Sequence, residues 1–258
     1  MTRKALFLAS FLSITLWTGS AASYHVGLLI VATGKKYITL APPLIESARK
    51  HFLTNHQVTF FLFTDQPVKM QSDVVVLPHK QYGWPYDTLY RYCAYTNHRD
   101  ILSTMDYLFA IDVDMLFVDT VGDEILHELV ATQHPGCIGR RGYYETDIRS
   151  AAYVGPGEGE FYFAGAFYGG KTSNFFEMMT TILGMVERDA KNKVMPRWHD
   201  EAYNNRYFID QKPTLVLSQS YCHPEHRYSA CTKRIIMVGK NSAEMRSWKT
   251  PVEHKKGD

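Results

Sequence analysis

Short apolar runs alternate with helical stretches through the first half of the chain, and few architectures accommodate that pattern. YHVGLLIVAT (24–33), HQVTFFLFTD (56–65), SDVVVLPH (72–79) and MDYLFAIDVDMLF (105–117) read as strands, rich in β-branched and aromatic residues. ITLAPPLIESARKHF (38–52) reads as a helix beginning after its prolines, with Leu44, Ile45, Ala48 and Phe52 near helical spacing. YDTLYRYCAYTNHRDIL (86–102) reads as one helix with an aromatic face. Strand–helix alternation predicts an α/β domain built on a mostly parallel sheet with flanking helices. Beyond Gly136 the texture changes to Gly and Tyr, then to an amphipathic helix at 173–192 capped by Ser173 or Asn174. A shorter helix at 198–213 and a strand at 214–218 follow. No repeat or linker divides the chain, so residues 24–248 form a single domain with a polar tail at 249–258.

Two aspartates, Asp112 and Asp114, interrupt the apolar run YLFAIDVDMLFVDT. Burying an uncompensated carboxylate is costly. If the strand continues through them, positions i and i+2 point to one face and the two charges converge. A divalent cation would cancel both, and carboxylate oxygens suit magnesium or manganese. In open α/β sheets ligands bind beyond the carboxyl ends of strands, where this pair falls. A metal held by two aspartates leaves coordination positions for phosphate oxygens, and a nucleotide-diphosphate donor follows naturally. The rival reading is a turn that caps the next segment. There is no P-loop and no G-x-G-x-x-G after a strand, which disfavours kinase and dinucleotide readings.

Other clusters are weaker. In GKKY, a turn after the first strand, Tyr37 either stacks on a base or packs on the surface. In WHDE, Trp198 and Glu201 share a helix face, and a glutamate beside a buried aromatic acquires a perturbed pKa. YFAGAFYGG offers small residues over which a ligand can approach the backbone, or a tightly packed strand pair. Aromatics make up 14% of the chain, enough for a large core or for walls beside a flat ligand, while a net charge of +2 gives no reason to expect nucleic acid.

Residues 1–23 carry the order of a signal peptide: cations in MTRK, the apolar run ALFLASFLSITLW, then small residues. The run is shorter than the ~20 apolar residues of a spanning helix, so cleavage is expected, with a short signal anchor as the alternative. This places the protein in a secretory, Golgi-like lumen or outside the cell; a cytoplasmic location is the alternative. Membrane contact is expected only through this segment. Cys93, Cys137, Cys222 and Cys231 form no C-x-x-C pair. Cys222 and Cys231 are close enough to bridge, or all four remain thiols.

The ordered set ATGKKY, FTDQP, DYLFAIDVDM, HPG, EFYFAGAFYGG, WHDE, KPTLVLS and a late K…R pair resembles glycosyltransferase family 6, the family of the histo-blood-group ABO transferases, α-1,3-galactosyltransferase and Forssman synthase. The resemblance covers Tyr24 to Arg246. It implies a GT-A fold and retaining transfer of galactose or N-acetylgalactosamine from a UDP donor to the 3-hydroxyl of a galactose-type acceptor, on a glycan or glycolipid. It implies manganese, or magnesium, at Asp112 and Asp114. On the donor side it implies Tyr37 on uracil, Arg91, Val113 between the aspartates, Ala164, Gly165, Ala166 and Asp200, with Lys240 and Arg246 over the diphosphate. On the acceptor side it implies His134, Trp198, His199 and Glu201, and it makes Glu201 the catalytic carboxylate. The small Ala164 would leave room for an N-acetyl group.

Departures from the family pattern fall on the acceptor side. Cys222-His223-Pro224 stands in place of a Trp-Asp pair, the segment from Arg140 to Tyr143 is shortened, and Ser242 replaces a histidine. A catalytically inactive sugar-binding protein of the same fold, and an inverting transferase or sugar-nucleotide hydrolase sharing Asp-x-Asp, are the rival functions.

Overall fold

The computed structural model describes residues 23–228 and 231–239. The apolar N-terminal run, Lys240, Ser242, Arg246 and the polar tail lie outside these residues. Among the described residues no helix is long and apolar enough to cross a membrane.

The chain opens with β1 (His25–Val31), a single helical turn α1 (Gly34–Tyr37) and α2 (Ala41–His51). Pro42 and Pro43 fall inside the first turn of α2, where the N–H that proline lacks has no intrahelical partner anyway, so the helix starts before them. β2 (Gln57–Thr64) and β3 (Val74–Pro78) follow as expected. The single helix expected over 86–102 is three: α3 (Tyr86–Leu89), α4 (Arg91–Asn97) and α5 (Arg99–Leu102). Side chains compete for the carbonyls there: Thr96 Oγ1 donates to Tyr92 O at 2.9 Å and His98 Nδ1 bonds Ala94 O at 2.8 Å.

β4 (Tyr107–Ile111) stops before the aspartates. The chain turns at Val113–Asp114, Met115 N–H donates to Asp112 O at 3.2 Å, and β5 (Met115–Phe117) joins a second sheet. The aspartates therefore sit in a tight connection, and strand alternation is not what brings them together. After β6 (Leu129–Gln133) and β7 (Phe163–Lys171) come α6 (Thr172–Lys191), α7 (His199–Asp210), β8 (Leu215–Leu217), β9 (His223–Pro224) and β10 (Ile235–Met237). Lys171, not Ser173 or Asn174, occupies the N-cap of α6. Thr172 Oγ1 instead ties that end to Met105 O at 2.6 Å.

The main sheet has the order β3-β2-β1-β4-β7-β6-β8, and β5, β10 and β9 form the small one. β7 alone runs antiparallel to both of its neighbours. Each central strand is buried on both faces, which explains the continuous apolar runs. Val26, Leu28 and Ile30 pack with α2 and the small sheet, while Leu29, Phe61, Phe63 and Leu108 pack with α4, α6 and α7. The predicted α/β architecture, a single domain with a mostly parallel main sheet between helices, is the one observed, with a small second sheet beside it.

Topology then selects an edge. From β1 the chain steps outward to β2 and β3, then returns to β4 on the other side of β1. The crevice between the carboxyl ends of β1 and β4 is the switch point at which such sheets bind ligands. Asp112 follows β4 there, and the helical turn α1 carrying Tyr37 follows β1.

Candidate active site

The antiparallel β7 brings its N-terminal half to the same edge: Ile111 pairs with Phe167, and Asp112 N–H donates to Ala166 O at 2.9 Å. Ala164 and Ala166 are buried with the apolar cluster on the α2 face. Gly165 faces α7 instead, close to Asp200 and Glu201.

The counter-charge for Asp112 is a protein group. Arg91 Nη1 lies 2.9 Å from Asp112 Oδ1 and 3.5 Å from Asp200 Oδ2, with only 10% of the arginine side chain exposed. Burial opposes the Arg91 charge, but the two carboxylates more than restore it and hold its pKa above the ordinary arginine value. Burial pushes the Asp200 carboxyl up, Arg91 pulls it back and Asp112 pushes it further. Arg91 thus lies buried against the two carboxylates.

Glu201 enters from the first turn of α7. Its Oε2 accepts from Gly165 N–H at 3.1 Å. Burial pushes its carboxyl up to about 7; Tyr162 and the Gly165 N–H pull it down, and Asp200 and Asp112 add to the rise. The Tyr162 hydroxyl stands against this carboxyl, although its alignment falls short of a full hydrogen bond. Behind Tyr162 the backbone of Gly142 is so close that a Cβ there would stand 2.1 Å from the ring. The Arg140–Tyr143 segment therefore packs closely against Tyr162.

His134 stacks edge-on to Tyr162 at 5.7 Å, and its Nδ1 accepts from Gly136 N–H at 3.0 Å. Burial and Arg140 lower its pKa, so a neutral ring with Nε2 protonated faces outward from that bond. Trp198 is the N-cap residue of α7, 41% exposed, with Tyr143 at 5.8 Å. His199 meets the exposed Trp84 at 4.8 Å. These aromatics rim the carboxylates on the solvent side.

Cys222 ties Asp114 to the group. Its buried thiol is pushed up by burial first and then by the fields of Asp112, Glu201 and Asp114. It is a thiol and not half of a bridge to Cys231. Tyr37 is half-buried against the α2-side cluster with Lys36 Nζ 6.0 Å from its ring.

Asp112 and Asp200 share one guanidinium, and Glu201 feels the fields of both carboxylates. The residual negative charge, together with Asp112 being 33% exposed, fits a hard divalent cation completed by phosphate oxygens. Among the described residues no cluster of three or more His, Cys, Asp or Glu forms a complete protein cage. Two surface cavities of about 310 and 410 Å³ lie elsewhere, beside Tyr86 and Met195 and beside Phe208 and Pro213, and neither is lined by these carboxylates.

Sequence reasoning missed the inner wall. Tyr92 Oη donates into the start of α7, reaching Asp200 O at 3.1 Å and Asn204 Oδ1 at 2.9 Å. Asn205 accepts from Phe163 N–H and donates to Phe163 O and Glu201 O, all at 2.8 Å, stapling α7 to β7. The only signal was a pair of asparagines on the packed side of a helix. Asn205→Ala is expected to cost ~2–3 kcal/mol in urea unfolding, since it strands buried backbone groups of Phe163; a change below ~0.5 kcal/mol would show that the staple is idle.

The sequence matches the family model described as Glycosyltransferase family 6 over residues 20–247. It is 34% identical over 230 residues to the dog globoside alpha-1,3-N-acetylgalactosaminyltransferase 1, covering 82% of this chain and 64% of that protein. The chicken protein of the same name is 31% identical over 243 residues, covering 86% of this chain and 69% of that one. The rat histo-blood group ABO system transferase 1 is 34% identical over 209 residues, covering 76% of this chain and 60% of that one. The chain thus spans less than two thirds of the dog and rat proteins.

Proposed function

The chain belongs to glycosyltransferase family 6, and we propose on that footing that it is a retaining α-1,3-glycosyltransferase moving N-acetylgalactosamine or galactose from a UDP donor to a galactose-terminated glycan or glycolipid. The observation that carries this reading is the buried Glu201 carboxyl, anchored to Gly165 N–H beside Asp112 and Asp200 at the switch point of the sheet. The small Ala164 and the names of the dog and chicken relatives favour N-acetylgalactosamine as the sugar.

Asp112 and Asp114 would hold a divalent cation, manganese or magnesium, whose charge offsets the leaving diphosphate. Arg91 fixes Asp112 and Asp200 in place. Tyr37, on the loop after β1, stacks on the uracil, and Lys240 and Arg246 add positive charge to the diphosphate. Glu201 faces the sugar carbon opposite the UDP and either attacks it or shields its positive charge. His134, Trp198 and His199 orient the acceptor, whose hydroxyl enters from the UDP side. The N-terminal run, read as a signal peptide or short anchor, favours a secretory lumen or an exported location for this activity.

The test is an assay of UDP-N-acetylgalactosamine and UDP-galactose over galactose-terminated acceptors, with manganese and with chelator, and NMR of the product anomer. Retained configuration is expected; inversion would sink the mechanism, and UDP release only without sugar transfer would identify a hydrolase. Asp114→Asn is expected to lose manganese-dependent turnover by about a hundredfold or more. Full activity of that variant in manganese would remove Asp114 from the metal site.

A further inference from the structure

We propose that the aromatic rim beside the carboxylates is a membrane-docking surface, which seats the protein on the headgroup layer of a bilayer carrying anionic lipids. It adds a second contact to the one expected from the apolar N-terminal run.

Six of the thirteen large hydrophobic side chains exposed among the described residues gather here: Tyr82, Trp84, Tyr86, Tyr143, Met195 and Trp198. Contacts join them into one group. Tyr82 and Tyr86 flank the ring of Tyr90 at 4.3 and 6.2 Å. Tyr86 and Met195 line the same recess of about 310 Å³. Trp84 stands 4.8 Å from His199, and Trp198 stands 5.8 Å from Tyr143. Scattered exposed apolar residues are ordinary, but a contiguous group marks a surface that meets something else. Trp84 leaves 76% of its surface exposed, so the core gains little from it.

The charges identify the partner. Lys80 Nζ lies 5.5 Å from the Tyr82 ring, Arg140 Cζ 5.5 Å from Tyr143 and Arg197 Cζ 5.5 Å from Trp198. Lys193 lines the recess beside Met195. None of these four cations is in an ion pair among the described residues. Segments 80–90, 138–143 and 193–199 contain one acid, Asp87, and its Oδ1 accepts from Tyr82 N–H at 2.6 Å. Tyrosine and tryptophan beside lysine and arginine are the residues that settle at a water–lipid interface, apolar bodies inward and polar tips at the headgroups. Anionic headgroups supply the countercharge that the protein withholds. A protein partner fits less well, because lysine is depleted at protein–protein interfaces.

Trp198 and His199 directly precede Asp200 and Glu201 at the start of α7, so a bilayer against the rim lies beside the carboxylates. A glycolipid headgroup standing out of that bilayer would reach them without leaving the membrane. Only this consequence rests on the transferase reading; the docking does not.

The experiment follows backbone hydrogen exchange of the full chain with vesicles of phosphatidylcholine alone and of phosphatidylcholine with phosphatidylglycerol. Residues 80–90 and 193–199 are expected to exchange at least about fivefold more slowly on the anionic vesicles, and near their free rate on the neutral ones. The triple variant Lys80→Gln, Lys193→Gln, Arg197→Gln is expected to lose most of that protection. So is the double variant Tyr86→Ser, Met195→Ser. Both sets change exposed side chains, and both keep the N-terminal run, so a membrane contact made by that run does not imitate the result. Absence of protection, or protection that both sets of substitutions leave intact, would overturn the surface. Protection by polyglutamate but not by vesicles would make it a site for an acidic protein segment and overturn the membrane assignment. No step needs turnover, so a chain that docks but transfers no sugar would overturn the transferase reading and leave the docking surface standing.

Discussion

Arg91→Met is expected to destabilise the protein by ~3–5 kcal/mol, a large share of the ~5–15 kcal/mol that holds a typical domain folded. Methionine fills much the same volume, so the loss is not one of packing. Arg91 is the buried cation shared by Asp112 and Asp200 at 2.9 and 3.5 Å, and without it two carboxylates press on each other in a desolvated corner. Urea unfolding at neutral pH measures the effect. The sign of its pH dependence follows from Asp200, whose carboxyl loses the pull of Arg91: the deficit is largest where it is ionised and shrinks as acid protonates it. Lys171→Met is the control, because the Lys171–Glu128 pair has side chains 48% and 57% exposed and its loss should leave stability nearly unchanged. Equal stability of Arg91→Met and wild type at neutral pH would mean that the two aspartates are compensated elsewhere.

Glu201→Gln is expected to abolish function while strengthening the fold. Turnover should fall by at least about a hundredfold, since glutamine can neither attack the sugar carbon nor offset its charge. The stability effect has the opposite sign. The ordinary carboxyl pKa is 4.5, and in the folded protein burial raises that of Glu201 to about 7. The folded state therefore holds this proton more tightly than the unfolded chain. The associated stability is complete below 4.5 and is lost as pH rises through about 7. At pH 8 the ionised carboxylate should cost up to roughly 3 kcal/mol, at about 1.4 kcal/mol per pKa unit. Glutamine keeps an acceptor for Gly165 N–H and carries no charge. The variant should thus match the wild type in acid and exceed it in melting temperature above pH 7. Wild-type turnover should rise with pH through about 7 as the carboxyl ionises. A variant less stable than wild type at pH 8 would show that the carboxylate is better solvated than its surroundings indicate.

The strands were legible because each central one is buried on both faces, so their apolar runs owe little to distant context. Helix breaks were not. Tyr90 and His98 interrupt 86–102 through local side-chain bonds that no periodicity carries. The Asp112–Asp114 pair was found for a partly mistaken reason: strand alternation pointed to convergence, but β4 stops at Ile111 and the two aspartates lie in the turn that follows it. The inner wall of Tyr92, Tyr162 and Asn204 went unseen, since tyrosines and asparagines in such segments look like ordinary packing until their partners are known.

The sequence by itself determined the layered α/β architecture, pointed to the carboxyl ends of the strands, and set the residue types available there. It also carried the family, through motifs whose order survives at about one-third identity. Only the tertiary structure decided that Arg91 is the counter-charge of Asp112 and Asp200, and that Glu201 rests on Gly165 with a raised pKa. The reason is physical. Periodicity along the chain reports which face of an element is dry, whereas charge compensation and hydrogen-bond satisfaction depend on distances of a few ångströms between segments far apart in sequence.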